Sequence, residues 1–113
     1  DMLLFKLERK DFESVKLYSK TQNYRATVTA AQSFLDDYPR SKFREEVSFL
    51  MVSNLGMLSM NSIDSKKCER IEQTIETYRN FVSEFPESTF KSEVDKISDR
   101  MHRELEQHCS KQN

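Results

Sequence analysis

Apolar residues recur along this chain at helical rather than strand spacing. Tyr24, Val28, Ala31, Phe34, Leu35 and Tyr38 fall at i, i+4, i+7, i+10, i+11 and i+14. Ile71, Ile75, Tyr78, Phe81, Val82 and Phe85 fall at the same steps. Each set forms one stripe on a helix of about four turns. After each proline comes a second stripe: Phe43, Val47, Leu50, Asn54 and Leu58 match Phe90, Val94, Ile97, Met101 and Leu105, with Asn54 opposite Met101 as the one mismatch. Ahead of Tyr24, the residues Leu4, Leu7, Phe12, Val15 and Tyr18 mark a further helix with less regular spacing. The pattern predicts five helices, at about 2–20, 22–37, 41–60, 66–84 and 88–109. The polar connection 59–65 is expected to be the longest loop, and the tail 110–113 to fray.

The stripes belong to an internal repeat. FLDDYPRSKFREEV (34–47) aligns without gaps on FVSEFPESTFKSEV (81–94), forty-seven residues later, with six identities in fourteen positions. Tyr38 and Phe85 precede proline, which pushes them out of the α region and ends a helix. Ser41 and Ser88 are candidate N-caps for the helices that follow, and Thr21 or Asn23 separates the first two helices. Each unit therefore reads as helix, proline turn, helix, with the two helices antiparallel neighbours. In the third helix Phe43, Val47, Phe49, Leu50, Met51, Val52, Leu55, Met57, Leu58 and Met60 cover most of the circumference, so neighbours are expected on several sides. Gly56 costs that helix roughly 1 kcal/mol against alanine, which points to close approach of another helix.

Composition narrows the fold class to all-α. One glycine, two prolines and no Asn-Gly or Asp-Gly pair leave too few residues for the tight turns of an all-β fold or for a Gly-rich phosphate loop. The 113 residues, 36% apolar and 33% charged, make a single domain by length, or a piece of a larger one. Eighteen Lys and Arg against nineteen Asp and Glu give a net charge of −1, with both signs mixed throughout, so no basic stripe for nucleic acid is visible. Lys66, Lys67 and Arg70 read as a solvated helix start. No apolar run approaches the ~18–20 residues of a membrane span. The first residue is Asp1, which reads as a processed or cut-down chain.

Convergent chemistry is not visible. His102 and His108 lie six apart on one helix, not at i, i+4, and a metal site using them with Cys109 would need ligands from elsewhere. Surface histidines near a helix C-terminus are the default. Asp36-Asp37 and Glu45-Glu46 are sequence neighbours that point about 100° apart, so neither forms a dyad, and both read as solvated faces. No catalytic, cofactor or metal residue is therefore expected. Cys68 and Cys109 fall at the same end of a hairpin folded at Pro86. They are one disulfide in an oxidising space or two idle thiols in a reducing one. Partner contacts are expected on the polar face of the second helix, at Arg25, Thr29, Gln32 and Asp36, opposite its apolar stripe.

Two-helix units in a row resemble the tetratricopeptide solenoid. YRATVTAAQSFLDDYP follows that family's second-helix pattern, with Thr27 where alanine is usual, although its standard period of about thirty-four is exceeded here. The closer resemblance is to the BamD family of outer-membrane assembly lipoproteins. ERKDFESVKLYSKTQNYRATVTAAQSFLDDYPRSKFREEVSFL and ERIEQTIETYRNFVSEFPESTFKSEVDKI, with their FREEV and FKSEV helix starts, carry it over about residues 5–100. The resemblance implies a tetratricopeptide-like α-α solenoid of five antiparallel helices, about two and a half repeats, forming the C-terminal part of a longer lipoprotein. It implies a non-enzymatic scaffold at the periplasmic face of the outer membrane, lipid-anchored upstream. The implied partners are the POTRA domains of a BamA-type protein and other subunits of the machine. The substrate-recognising repeats of that family would lie upstream. A basic docking residue of that family falls near Ala30 here and is not carried over; Arg25 is the nearest basic residue. Two rival readings remain: a helical-repeat adaptor for another protein or peptide, and a regulatory domain cut from a larger enzyme. Without upstream repeats, the first helix is expected to expose apolar surface and to favour dimers.

Overall fold

A computed structural model describes residues 2–109. It contains five α-helices: α1 (Met2–Lys20), α2 (Tyr24–Asp37), α3 (Arg44–Met60), α4 (Asp64–Glu84) and α5 (Lys91–Glu104), the last running into one π-helical turn (Leu105–Cys109). Consecutive helices pack on each other, and α3 also meets α1 and α5. The result is an all-α, tetratricopeptide-like solenoid, 53 Å along its longest axis. The tail 110–113, expected to fray, lies outside the described residues.

The repeated positions occupy matching surroundings. Phe34 and Phe81 are buried, and so are Val47 and Val94. Phe34 tilts against Tyr38 at 4.9 Å and 48°, and Phe81 against Phe85 at 5.4 Å and 49°. Thr27 and Thr74, also forty-seven apart, are wholly buried, each returning its hydroxyl to a carbonyl four residues back at 2.8 Å. That backbone partner is what permits a threonine at the crowded small-residue position. The mismatch at Asn54 is resolved by α1: the buried Asn54 amide donates to Ser19 at 3.1 Å and to the Leu50 carbonyl at 2.8 Å.

A second register links α1 to α3. Phe12 of α1 stacks on Phe43 at 4.0 Å, and Phe49 of α3 stacks on Phe90 at 4.3 Å. Glu8 accepts the Ser41 hydroxyl at 2.7 Å, and Glu45 accepts the Ser88 hydroxyl at 2.6 Å. Val15 and Val52 are both fully buried. These pairs are thirty-seven apart, so the repeating units are α1–α2 and α3–α4, with α5 opening a third. The two short loops, 21–23 and 61–63, have equal length. The ten additional residues of the second unit extend helices instead: three at the end of α3 and seven at the start of α4. The expected long loop at 59–65 is thus a correction, because Ser59 is buried in α3 and Asp64 already opens α4.

Helix ends differ from expectation in an instructive way. Asn23, not Thr21, caps α2, its Oδ1 accepting from Ala26 N–H at 3.3 Å. Ser41 and Ser88 do not cap at N-cap: α3 and α5 begin three residues later, and each serine accepts the N–H two residues on, at 3.0 Å. Their hydroxyl protons are then free for Glu8 and Glu45. Glu45 is therefore half of a bond from α3 to the second proline turn, not part of a plain solvated face. Among the predicted apolar positions of α1, Phe12 and Val15 are buried, whereas Leu4, Leu7 and Tyr18 are exposed. Counting from α3, residues 2–6 are additional to the repeat, and Met2, Leu3, Leu4 and Phe5 stand exposed there.

Gly56 bears out the expected close approach. A Cβ there would lie 3.1 Å from Ile97 Cγ2 on α5.

Candidate partner-docking surface

Proline termination and the apolar stripe of α2 leave its opposite side to solvent, where Arg25, Thr29, Gln32 and Asp36 are all exposed. The structure divides these four residues. Gln32 and Asp36 join at 3.0 Å and line a polar groove of about 240 Å³ between α2, α3 and α4. Its other walls include Ser48, Thr77 and Asn80, and Arg44 closes it with a two-pronged ion pair to Glu84. That pair raises the Arg44 guanidinium above its ordinary value. Arg25 and Thr29 instead border a separate depression against Tyr18 of α1, beside Ala26 and Ala30.

On the other side of α3 runs a groove of about 280 Å³ shared with α5. Gly56, Met57, Met60, Ile97 and Met101 line it, with Glu93, Lys96 and Arg100 beside them. Sequence reasoning missed this surface. Its signal was the methionine pair at 57 and 60, which read only as part of a helix apolar on all sides.

The remaining candidates are placed as follows. Cys68 and Cys109 form a disulfide, with Cα atoms 5.8 Å apart, so the two open alternatives close on the bridge. His108 Nε2 lies 3.1 Å from Glu104, which also meets Lys67 at 3.5 Å. Arg70 donates to Ser62 at 2.6 Å. Lys67 and Arg70 are thus committed to neighbours, which corrects the expectation of a solvated cluster. His102 is exposed, its Nδ1 2.8 Å from the Ser98 carbonyl. Among the described residues no three His, Cys, Asp or Glu side chains gather as metal ligands. None of the described helices is long and apolar enough to cross a membrane.

Two tyrosine–carboxylate bonds tie neighbouring helices outside these grooves. Tyr38 donates to Asp11 at 2.8 Å, and that bond together with desolvation pushes its phenol up to about 12. Tyr78 donates to Asp95 at 2.7 Å, which raises its phenol as well. Lys91 at 2.9 Å, and then Tyr78, hold the Asp95 carboxyl below its ordinary value.

Comparison with known families converges on the same architecture. A family model described as outer membrane lipoprotein, YfiO, matches residues 6–108. No individual curated protein matches the chain. The matched span takes in all five helices but for the first residues of α1, both proline turns and the repeated serine, glutamate and phenylalanine contacts, and the chain therefore belongs to the YfiO family of outer membrane lipoproteins, the BamD type.

Proposed function

We propose that this chain is the docking part of a non-enzymatic scaffold for outer-membrane β-barrel assembly. It forms a single helical-repeat domain, the C-terminal part of a longer lipoprotein held at the periplasmic face of the membrane. Its partner is the POTRA region of a BamA-type protein, met by the outer face of α2 through Arg25, Thr29, Gln32 and Asp36.

The polar groove beside α2 carries this reading. Ser48 and Asn80 spend no side-chain hydrogen bond among the described residues, and with Gln32 and Asp36 they present donors and acceptors along one cleft. Such groups suit a partner's backbone or polar side chains rather than an apolar ligand. The disulfide supports the location, because such bonds persist in oxidising compartments. The test is recovery of the tagged protein from membranes of its own host. Co-purification of a BamA-type subunit is expected, and its weakening by Gln32→Lys with Asp36→Lys; recovery without any such subunit would refute the role.

The α3–α5 groove favours a second reading, an adaptor for an amphipathic helix. Methionine side chains adapt to varied apolar ridges, and Lys96 and Arg100 would favour acidic flanks. Met57→Lys would abolish binding under this reading and leave the first untouched.

A further inference from the structure

We propose that the Cys68–Cys109 bridge is a redox-set latch on the end of α5, not a staple of the whole fold. The bridge ties the start of α4 to the last described turn. The residues beside the two cysteines, Lys67 and His108, both reach the Glu104 carboxylate, at 3.5 and 3.1 Å. Closing the bridge thus sets three groups together, a cation and an imidazole about one largely covered carboxylate.

Apolar packing along the segment is sparse. α5 is the last described α-helix, and Ser92, Lys96, Asp99 and Arg103 form an exposed stripe along it. These positions answer to Glu45, Phe49, Val52 and Gly56 of α3, so α5 lacks the glutamate and phenylalanine by which α1 and α3 each clasp the next turn. Among the described residues beyond Met101, Leu105 and Cys109 pack on the Ile71–Ile75–Met101 cluster, while His102, Arg103, Gln107 and His108 are exposed. Two partly buried side chains and the ion pairs at Glu104 offset only part of the entropy of ordering that many backbone units, and the covalent tie supplies the rest. The other two core clusters contain no residue beyond Ile97, so they do not depend on it.

Both cysteines are only partly buried, so a dithiol can reach them. Reduction transfers two electrons and two protons to the bridge, giving two thiols while the dithiol closes to its own disulfide. The freed end uncovers Ile71, Ile75 and Met101, all buried while the latch is shut. The compartment's redox state would thereby set how much apolar surface the C-terminal end presents, whichever face docks a partner.

Amide hydrogen exchange on the intact chain, oxidised against dithiothreitol-reduced, tests the latch. Exchange at 102–109 should rise by at least ~10-fold on reduction while α2 and α3 keep their protection. The Cys68→Ser, Cys109→Ser double variant should reproduce the reduced pattern. Unchanged exchange at 102–109 would make the bridge a bystander, and lost protection across α2 and α3, or an unfolded double variant, would make it a global staple; each result overturns the proposal.

Discussion

Ser88 donates its hydroxyl to Glu45 at 2.6 Å, joining a proline turn to a helix forty-three residues earlier. Ser41 does the same to Glu8, and in both cases a phenylalanine two residues after the serine stacks on a phenylalanine four residues after the glutamate. One hydrogen bond fixes the azimuth of the turn and one ring pair fixes its depth, so each helix pair seats on its predecessor in one register. A bond from a hydroxyl to a charged acceptor at a partly exposed site contributes about 1 kcal/mol. Ser88→Ala should lower unfolding free energy by about that amount in urea titration. Adding Glu45→Ala should cost less than the two single changes together, because both remove the same bond.

Gly56 should reveal its packing role by coupling to Ile97. Alanine gains roughly 1 kcal/mol of helix propensity over glycine, but the added methyl would sit 3.1 Å from Ile97 Cγ2. Ile97→Leu removes that branch at similar volume. Gly56→Ala should therefore be about 1 kcal/mol more favourable in the Ile97→Leu background than in the wild type, measured by denaturant unfolding of the four proteins.

Gln22 occupies the left-handed region at φ 61°, closing α1 where Asn23 N–H returns to Tyr18 and Gln22 N–H to Ser19. That conformation costs a non-glycine residue about 1–2 kcal/mol, and glycine gives back about 0.5–1 kcal/mol through the unfolded chain. Gln22→Gly should raise stability by about 0.5 kcal/mol, seen as a higher melting temperature. A drop would show that the turn is held by the glutamine side chain.

The Tyr38–Asp11 bond should appear in the alkaline range. The folded phenol is raised to about 12 against 10 unfolded, so the protonated form is favoured by folding. Its contribution is complete below pH 10 and lost as pH climbs from about 10 towards 12. Thermal melts across that interval should fall more steeply for the wild type than for Tyr38→Phe. Phe85 at the equivalent position shows that phenylalanine fits the site.

The forty-seven-residue repeat was legible because identical residues meet identical surroundings: Phe34 with Phe81, Val47 with Val94. The thirty-seven-residue relation of α1 to α3 was not, because only Glu8, Phe12 and Val15 carry it, and those residues matter through contacts with distant turns. The loop at 59–65 misled for a related reason. Serine, asparagine and aspartate favour turns when exposed, but Ser59 is buried and bonds Leu55 at 2.8 Å and Thr74 at 3.1 Å, so tertiary packing carried α3 through it. The face of α2 was read correctly as solvated, yet its division between two depressions depends on where α1 and α4 cross it, which local spacing does not encode.

Which face docks the partner is decided most directly by titrating this chain with isolated POTRA domains of a BamA-type protein, as wild type, Asp36→Lys and Met57→Lys, each variant shown to be folded. The account predicts that wild type and Met57→Lys bind alike while Asp36→Lys loses at least ~10-fold in affinity, as expected for a charge reversal within the docking face. Equal binding by Asp36→Lys, or loss confined to Met57→Lys, would contradict it.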